Sequence, residues 1–357
     1  MISTNTKRSD HLLESISPYD GIAVVTHDIP DPDAIAAGWA LSRLFEKRLG
    51  KTVKLIGSGP IVRAENKHMV KLLHPPLLLL DHFFLQDHAI VLVDCVPTAA
   101  NHLLNGSGMR ADAVIDHHIH DNHEYEALYR DIRPAVAATA SIACGYLIEQ
   151  NVEPSLDLAT ALLYAIRTET RGEQVGLSAT DQQVISWLSD RADHVKIAEI
   201  ENAPLPRNYY VDLVLAIENT FLYEDVAICF LPHAAGAELV GEIADFLIRC
   251  DELSSVLCGA LVRDALIVSA RTTRGGGNAA ALLQRCLESV GHCGGHDHRA
   301  GGKISLTDNG VILVTDLQSL LKERWLQACH VDSRQGRTWS GEQKFWTVRQ
   351  REQEVLQ

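Results

Sequence analysis

Three features are missing from this sequence: a long apolar run, an apolar segment near the N-terminus and a surplus of basic residues. No apolar run approaches the roughly 18–20 residues that a membrane helix needs. The longest one, residues 77–80, is followed directly by Asp81 and His82. Residues 1–17 contain no apolar core of the kind found in secretory signals, so we expect a cytoplasmic protein without a membrane partner.

The shortage of basic residues limits the substrates that the protein can bind. Its 357 residues carry a formal net charge of −14 at pH 7. Proteins that bind long duplex DNA need a basic surface that displaces counterions, and this composition argues against such a surface. An anionic substrate must therefore be small or be met by a local positive site. Two bound divalent ions would supply about four positive charges in one pocket.

Paired cysteine motifs are also missing. The eight cysteines are scattered, form no C-x-x-C pair and stand mostly among apolar residues. A disulfide framework is not expected in a chain of this size without secretion, and cysteine in apolar surroundings acts as a small hydrophobe. We therefore expect the cysteines to belong to the core.

Short β-rich runs alternate with helical patterns in the first half, which is typical of a parallel α/β sheet. We predict strands at residues 21–26, 53–56, 89–93 and 113–115, and helices at residues 33–49, 65–73, 137–150, 155–167 and 179–189. A second α/β pattern follows a polar stretch near Pro204 and Pro206.

The predicted fold class is therefore α/β, with two domains and the active site in the cleft between them. The predicted parts are an N-terminal parallel-sheet catalytic domain (1–195), a linker (196–215), a smaller α/β substrate-binding domain (216–326) and a C-terminal tail (327–357).

The first candidate site lies between the strand at residues 21–26 and the helix that follows. It contains His27, Asp31 and Asp33. One imidazole and two carboxylates in a short span suit a metal such as manganese, which prefers oxygen and imidazole ligands. The alternative is a helix N-terminus that is merely rich in aspartate.

Two further candidate sites follow the next strands. Asp94 comes directly after the strand at residues 89–93, and Asp116, His117 and His118 come at the end of the strand at residues 113–115. The carboxyl edge of an open parallel sheet is where ligands bind. Capping of the next helix explains any one of these aspartates, but it explains the whole set less well.

Together these motifs resemble the DHH superfamily of phosphoesterases. The run HDIPDPDAIA, the aspartate of VDC and the run IDHH occur in the order of the first three motifs of that superfamily. Within it, the chain is similar to the RecJ-like and nanoRNase branch through GPIVRAENKHMVKLL, DIRPAVAATASI and ALLYAIRTETR. The runs RTTRGGGNAAALL and GGHDHRAGG resemble the DHH-associated substrate domain, so the resemblance extends from about residue 19 to about residue 313.

The resemblance implies ligands for two divalent ions, most simply manganese. His27 and Asp31 would hold one ion, Asp33 and His117 would hold the other, and Asp94 would bridge both. Glu169 stands where the superfamily commonly has aspartate in a T-D-T run. We expect it to remain a ligand of the second ion, directly or through water.

Asp116 and His118 complete the catalytic set that the resemblance implies. Asp116 would orient the histidines, because carboxylates commonly support metal-bound imidazoles from behind. His118 would face the scissile phosphate.

Two glycine-rich loops in the second half form the candidate substrate site. Glycines let backbone N–H groups approach an anion, and a following helix N-terminus favours negative charge. The alternative is a pair of flexible turns with solvated charges. The candidate substrate-binding residues are Arg271, Arg274, Gly294, Gly295, His296 and Arg299, with Arg63 and Asn66 in the first half.

The implied activity is manganese-dependent hydrolysis of short oligoribonucleotides or linear dinucleotides, such as pGpG, to mononucleotides. Alternatives are a 3′-phosphoadenosine 5′-phosphate phosphatase, a cyclic-dinucleotide phosphodiesterase and a nucleotide-binding sensor in which Glu169 has impaired the second metal site. We expect a short RNA or dinucleotide partner and no long duplex DNA, and a homodimer stays open.

Overall fold

The computed structural model describes residues 7–85, 87–99, 101–118, 125–170, 177–295, 297–306, 314–332 and 336–339. The chain divides between Pro204 and Leu205 into two compact units. None of the helices in the described residues combines the length and the apolar character that crossing a membrane requires.

Six strands of the first unit form a parallel sheet. They are β1 (Gly21–Asp28), β2 (Thr52–Ser58), β3 (Leu77–Leu79), β4 (His88–Val93), β5 (Ala113–Asp116) and β6 (Tyr129–Ile132). Their order is β3-β2-β1-β4-β5-β6, so the direction of winding reverses between β1 and β4. In open sheets of this kind, ligands bind beyond the carboxyl ends of the two strands at the reversal.

The helices of the first unit are α1 (Arg8–Ile16), α2 (Pro32–Leu49), α3 (Ala64–Leu73), α4 (Thr139–Glu149), α5 (Leu156–Thr170), α6 (Ala179–Ser189) and α7 (His194–Glu201). The start of α2 is strongly specified: Asp31 accepts a hydrogen bond from the amide of Ala34, and Pro32 occupies the first helical position. Gly50 ends the helix in the left-handed conformation, with φ 64°.

Alternate residues of β1 pack on opposite faces of the sheet. Ile22 and Val24 join the larger core beneath the helices. Ala23 and Val25 join a smaller core that includes Leu104, from the connection between β4 and β5. Because successive side chains of a strand point to opposite faces, both faces of β1 are covered, which explains its continuous apolar sequence.

The second unit contains a mixed sheet in the order β11-β12-β10-β9-β8-β7-β13. Its strands are β7 (Thr220–Tyr223), β8 (Val226–Leu231), β9 (Ser255–Val262), β10 (Ala265–Thr272), β11 (His292–Gly295), β12 (Arg299–Ser305) and β13 (Arg337–Thr338). Its helices are α8 (Arg207–Glu218), α9 (Ala237–Leu247), α10 (Ala279–Leu287) and α11 (Val314–Ala328). β8 and β9 run parallel, and the other pairs are antiparallel.

The predicted fold class is confirmed: the protein is α/β, with a parallel sheet in the N-terminal region and a second, mixed sheet in the C-terminal region. The segment predicted as a linker, residues 196–215, is largely helical, because α7 and α8 extend into it and only residues 202–206 lie between them. The predicted domain limits stay predictions.

Candidate metal centre

The candidate ligands lie where the winding of the parallel sheet reverses. β1 and β4 pair directly, from Gly21 opposite His88 to Val25 opposite Leu92. His27 lies near the end of β1, and Asp94 directly follows β4. The reversal therefore brings together side chains that are far apart in the sequence.

His27 faces two carboxylates. Its Nε2 lies 3.5 Å from Oδ2 of Asp94 and 3.8 Å from Oδ1 of Asp31. On the other side of the ring, Nδ1 lies 2.8 Å from the carbonyl oxygen of Asp28. A carbonyl can only accept a hydrogen, so Nδ1 carries the proton in the neutral ring and Nε2 presents a lone pair to the carboxylates.

His117 makes a second arrangement of the same kind. Its Nε2 lies 3.7 Å from Oδ2 of Asp33 and 3.8 Å from Oδ1 of Asp94. Its Nδ1 lies 3.3 Å from the carbonyl oxygen of Val136. The two oxygens of Asp94 therefore face different imidazoles, with Oδ2 toward His27 and Oδ1 toward His117.

These separations fit a pair of shared cations better than direct hydrogen bonds. Distances of 3.5–3.8 Å between nitrogen and oxygen are too long for a good hydrogen bond. Two donor atoms that each lie about 2.1 Å from a common octahedral ion are between about 3.0 and 4.2 Å apart. Two groups of side chains are compact enough to hold an ion: one is His27, Asp31 and Asp94, and the other is Asp94, His117 and His118.

The N-terminus of α4 holds the buried carboxylates in place. The amides of Thr139 and Ala140 donate to the two oxygens of Asp33 at 2.8 and 2.7 Å. The hydroxyl of Thr139 donates to Oδ1 of Asp94 at 2.7 Å. Thr139 was not predicted as a site residue, since a threonine in an alanine-rich run carries no signal beyond its position at a helix start.

The site concentrates negative charge. Burial, and then the charges of Asp94 and Glu169, raise the pKa of Asp33 well above its ordinary value. Burial disfavours the charged form of His27, but the carboxylates of Asp31 and Asp94 outweigh it and raise the pKa of His27 well above its ordinary value. A cation between these groups would favour ionised carboxylates and neutral imidazoles, which is the state that binds metal.

Asp116 organises both histidines that follow β5. Its Oδ1 accepts the backbone amides of His117 at 2.7 Å and of His118 at 3.2 Å. The same oxygen lies 2.7 Å from Nδ1 of His118. Burial opposes the charged form of His118, but Asp116 prevails and raises its pKa to about 9. Because its Nδ1 is used by Asp116, His118 does not offer that nitrogen to a metal.

Two residues of the site adopt backbone conformations with positive φ. Asp94 has φ 61°, a value that aspartate tolerates better than most residues. Ile29, between the ligands His27 and Asp31, has φ 56°, which is unfavourable for a β-branched side chain and costs on the order of 1–3 kcal/mol. Both residues lie in turns that place candidate ligands.

The remaining candidate residues of the first unit are Glu169, Arg63 and Asn66, and they lie in or next to two different helices. Glu169 lies in the last turn of α5, and its charge contributes to the raised pKa of Asp33. Arg63 precedes α3, and its Nε lies 3.3 Å from Oε2 of Glu65. Asn66 is buried in α3. The roles of these three residues stay predictions.

In the second unit, Arg271 is engaged within the protein. Its Nε lies 2.7 Å from Oδ1 of Asp245, and it also donates to the hydroxyl of Ser269 at 2.7 Å. Nε of Arg299 lies 3.8 Å from the same carboxylate oxygen of Asp245. Direct binding of an anion by Arg271 would therefore compete with Asp245.

The two glycine-rich loops meet beside the N-terminus of α10. Groups of the protein itself accept hydrogen bonds from the first amides of that helix. Asn278 accepts the amide of Ala281 at 2.8 Å, and the amide of Ala279 donates to the carbonyl of Asp297 at 2.7 Å. Arg274 lies in the first loop. Gly294 and Gly295 belong to edge strand β11, and His296 lies outside the described residues. Gly295 has φ 153°, and a side chain there would collide with the backbone of Arg299.

Comparison with known proteins identifies a matching family and a related sequence. Residues 21–166 match the DHH family, N-terminal domain. An uncharacterized protein of Methanocaldococcus jannaschii is 32% identical over 303 residues, which cover 84% of this chain and 61% of that protein. The chain thus spans about three fifths of the length of this relative.

Two solved structures share the fold. An exopolyphosphatase-related protein from Bacteroides fragilis has a TM-score of 0.70 and 16% identity, over 90% of this chain and 96% of that one. RecJ from Thermus thermophilus, in complex with Mn2+, has a TM-score of 0.52 and 13% identity, over 90% of this chain and 54% of that one. Residues 21–166 of the chain form a DHH family, N-terminal domain.

Proposed function

We propose that the protein is a metal-dependent phosphodiesterase that hydrolyses short oligoribonucleotides or linear dinucleotides to mononucleotides. The observation that carries the proposal is the position of Asp94, whose two oxygens face His27 and His117 separately. A carboxylate in that position is suited to bridge two ions, and paired divalent ions serve phosphoester hydrolysis.

The residues that would hold the ions fall into two sets. His27, Asp31 and Asp94 surround the first position, and Asp33, His117 and Asp94 surround the second. Glu169 would complete the second set. Ions bound there would supply positive charge to the phosphate and lower the pKa of coordinated water. Manganese is the proposed metal, in keeping with the imidazole and carboxylate donors and with the RecJ structure solved with Mn2+.

His118 would hold a proton near the reacting phosphate. Asp116 raises the pKa of His118 to about 9 against the effect of burial, so the ring is mostly protonated near neutral pH in the metal-free site. A hydrogen-bonded imidazolium stabilises negative charge on phosphate oxygens and can protonate a leaving oxygen. Asp116 would be a positioning residue, because it fixes the ring through Nδ1.

A short substrate is favoured by the charge of the protein. With a formal net charge of −14, the chain is poorly suited to following a long nucleic acid backbone. We propose that Arg271, Arg274, Gly294, Gly295, His296 and Arg299 belong to a substrate-binding domain, and that Arg63 and Asn66 assist from the first unit. Arg271 would act either directly or by fixing the loop beside it.

A substrate panel tests the proposal. Initial rates with added manganese would be compared for diribonucleotides including pGpG, longer RNA, 3′-phosphoadenosine 5′-phosphate, cyclic dinucleotides and pyrophosphate, with the Asp94→Asn variant as the control. We expect the fastest hydrolysis for linear dinucleotides and its loss in the variant. Fastest hydrolysis of another member would replace the proposed substrate, and binding of nucleotides without turnover of any member would favour a sensor.

A further inference from the structure

A cavity of about 390 Å³ lies beside the metal centre, on the face of the sheet covered by the connection between β4 and β5. Its volume falls within the roughly 300–1,000 Å³ of small-molecule sites. The lining residues that matter are Pro97, His102, Met109, Arg110, Tyr125 and Glu126. None of them belongs to the metal-binding set described above.

Two connections attach the wall of this cavity to the metal centre. His102 forms an isolated antiparallel β-bridge with His27, and the amide of Asp28 donates to the carbonyl of Asn101 at 2.6 Å. Nε2 of His102 lies 3.1 Å from the carbonyl oxygen of Val96. The wall of the cavity is therefore joined through backbone contacts to the strand that carries His27.

The lining combines apolar and aromatic surface with charge at the mouth. Met109 and Tyr125 are half-buried, whereas the side chains of Arg110 and Glu126 are 84% and 94% exposed. Aromatic and thioether groups pack well against a planar heteroaromatic ring, while charged groups read the polar edge of the ring. This combination suits a nucleobase better than a sugar or a bare phosphate.

We propose that this cavity binds a guanine base of the substrate. Nη1 of Arg110 lies 3.6 Å from Oε2 of Glu126. The N–H donors of the guanidinium and the two acceptor oxygens of the carboxylate therefore lie next to each other. Guanine presents the matching edge: O6 and N7 accept from an arginine, and the neighbouring N1–H and N2–H donate to a carboxylate. Because the ion pair is exposed, little free energy is lost when the base separates the two side chains.

The inference rests on the proposed function, because it assigns the base class of the substrate at the same centre, but its test does not need catalysis. Binding of GMP and CMP would be measured by calorimetry on the full chain in EDTA. The two ligands share phosphate and ribose, so a difference between them reports the base. Glu126→Gln and Arg110→Gln are the test variants, and both positions are exposed. Glu153→Gln is the matched control, from another exposed pair with an arginine, Arg191, at 2.9 Å.

We expect the wild-type chain to bind GMP at least about fivefold more tightly than CMP. Each test variant should lose about fivefold or more of its GMP affinity, while the control variant binds like the wild type. Equal binding of GMP and CMP by the wild type, or GMP affinities of both test variants within about twofold of the wild type, would overturn the inference.

A second measurement separates this inference from the proposed function. Bis(p-nitrophenyl) phosphate carries no base, so its manganese-dependent hydrolysis reports the catalytic centre alone. A guanine preference without this hydrolysis would support the cavity assignment and contradict the proposed function. Hydrolysis without a guanine preference would support the proposed function and contradict the cavity assignment.

Discussion

The hydroxyl of Thr139 lies 2.7 Å from Oδ1 of Asp94, the same oxygen that faces His117. The amide of Thr139 also donates to Asp33 at 2.8 Å, and the residue is fully buried. One residue at the start of α4 therefore holds two candidate metal-binding carboxylates. The geometry of the metal centre depends on a helix that supplies no ligand of its own to the proposed set.

Thr139→Val should weaken metal binding. Valine has the shape of threonine but lacks the hydroxyl that orients Asp94, and loss of such an outer contact typically lowers metal affinity about 10- to 100-fold. Thr139→Ser keeps the hydroxyl and should bind manganese nearly as well as the wild type. Calorimetric titration of the metal-free variants measures this, and equal affinities for the two variants would show that the hydroxyl has no positioning role.

Asp94→Asn should remove the metals without unfolding the protein. Asparagine tolerates the φ of 61° and retains an oxygen for Thr139, so the substitution mainly removes charge. Elemental analysis should find most of the bound manganese lost. The metal-free variant should melt no lower than the metal-free wild type, because Asp94 is one source of the repulsion that raises the pKa of Asp33. A markedly lower melting temperature would show that Asp94 instead stabilises the fold.

His118→Gln should separate catalysis from metal binding. Nδ1 of His118 is bonded to Asp116 and the residue is outside the proposed ligand set, so the variant should retain the manganese content of the wild type. Loss of the proton held on the ring should lower kcat about 100-fold or more. Parallel elemental analysis and rate measurements test this; loss of metal together with activity would make His118 a ligand.

Asp131→Asn should destabilise the fold at neutral pH by about 3 kcal/mol, because it leaves charged partners of a buried carboxylate unpaired. Asp131 is 1% exposed and accepts hydrogen bonds from Arg8 at 2.5 Å and from Arg133 at 2.9 Å. Burial raises its pKa, but Arg133 and Tyr146 outweigh burial, so the folded pKa lies below the ordinary value of 3.8. A depressed pKa means that this stabilisation is present above 3.8 and is lost as the pH falls through the folded value.

Urea unfolding of the wild type and of Asp131→Asn at pH 7 and pH 3 checks this sign. The difference in unfolding free energy should shrink at the lower pH. Asp157→Asn is the control, since Asp157 pairs with Lys196 at 2.6 Å on a more exposed surface. A difference that grows toward low pH would contradict the assignment of a depressed pKa.

Much of the first unit could be predicted from the sequence because its pattern is locally consistent. The run of buried residues in β1 and the capping signals at Asp31 and Gly50 specify a strand and a helix without reference to the rest of the chain. β3 and β6 were not predicted. They have only 3 and 4 residues, and their strand conformation depends on pairing with β2 and β5.

The residue types of the candidate centre were also predictable, but their connections were not. That His27, Asp94 and His117 meet follows from strand order, which a single sequence indicates only through motif resemblance. The bond from Thr139 to Asp94 spans 45 residues and leaves no periodic signal. The pairing of Arg271 with Asp245 likewise depends on how α9 packs against β10, so sequence reasoning could expect an anion receptor there but could not foresee its internal partner.

We propose that Asp94 joins two cation positions. Anomalous diffraction from crystals of the full chain soaked in manganese tests it most directly. We predict two peaks, one between His27, Asp31 and Asp94 and the other between Asp33, His117 and Asp94. Peaks elsewhere, or no peak near Asp94 at saturating manganese, would contradict the account.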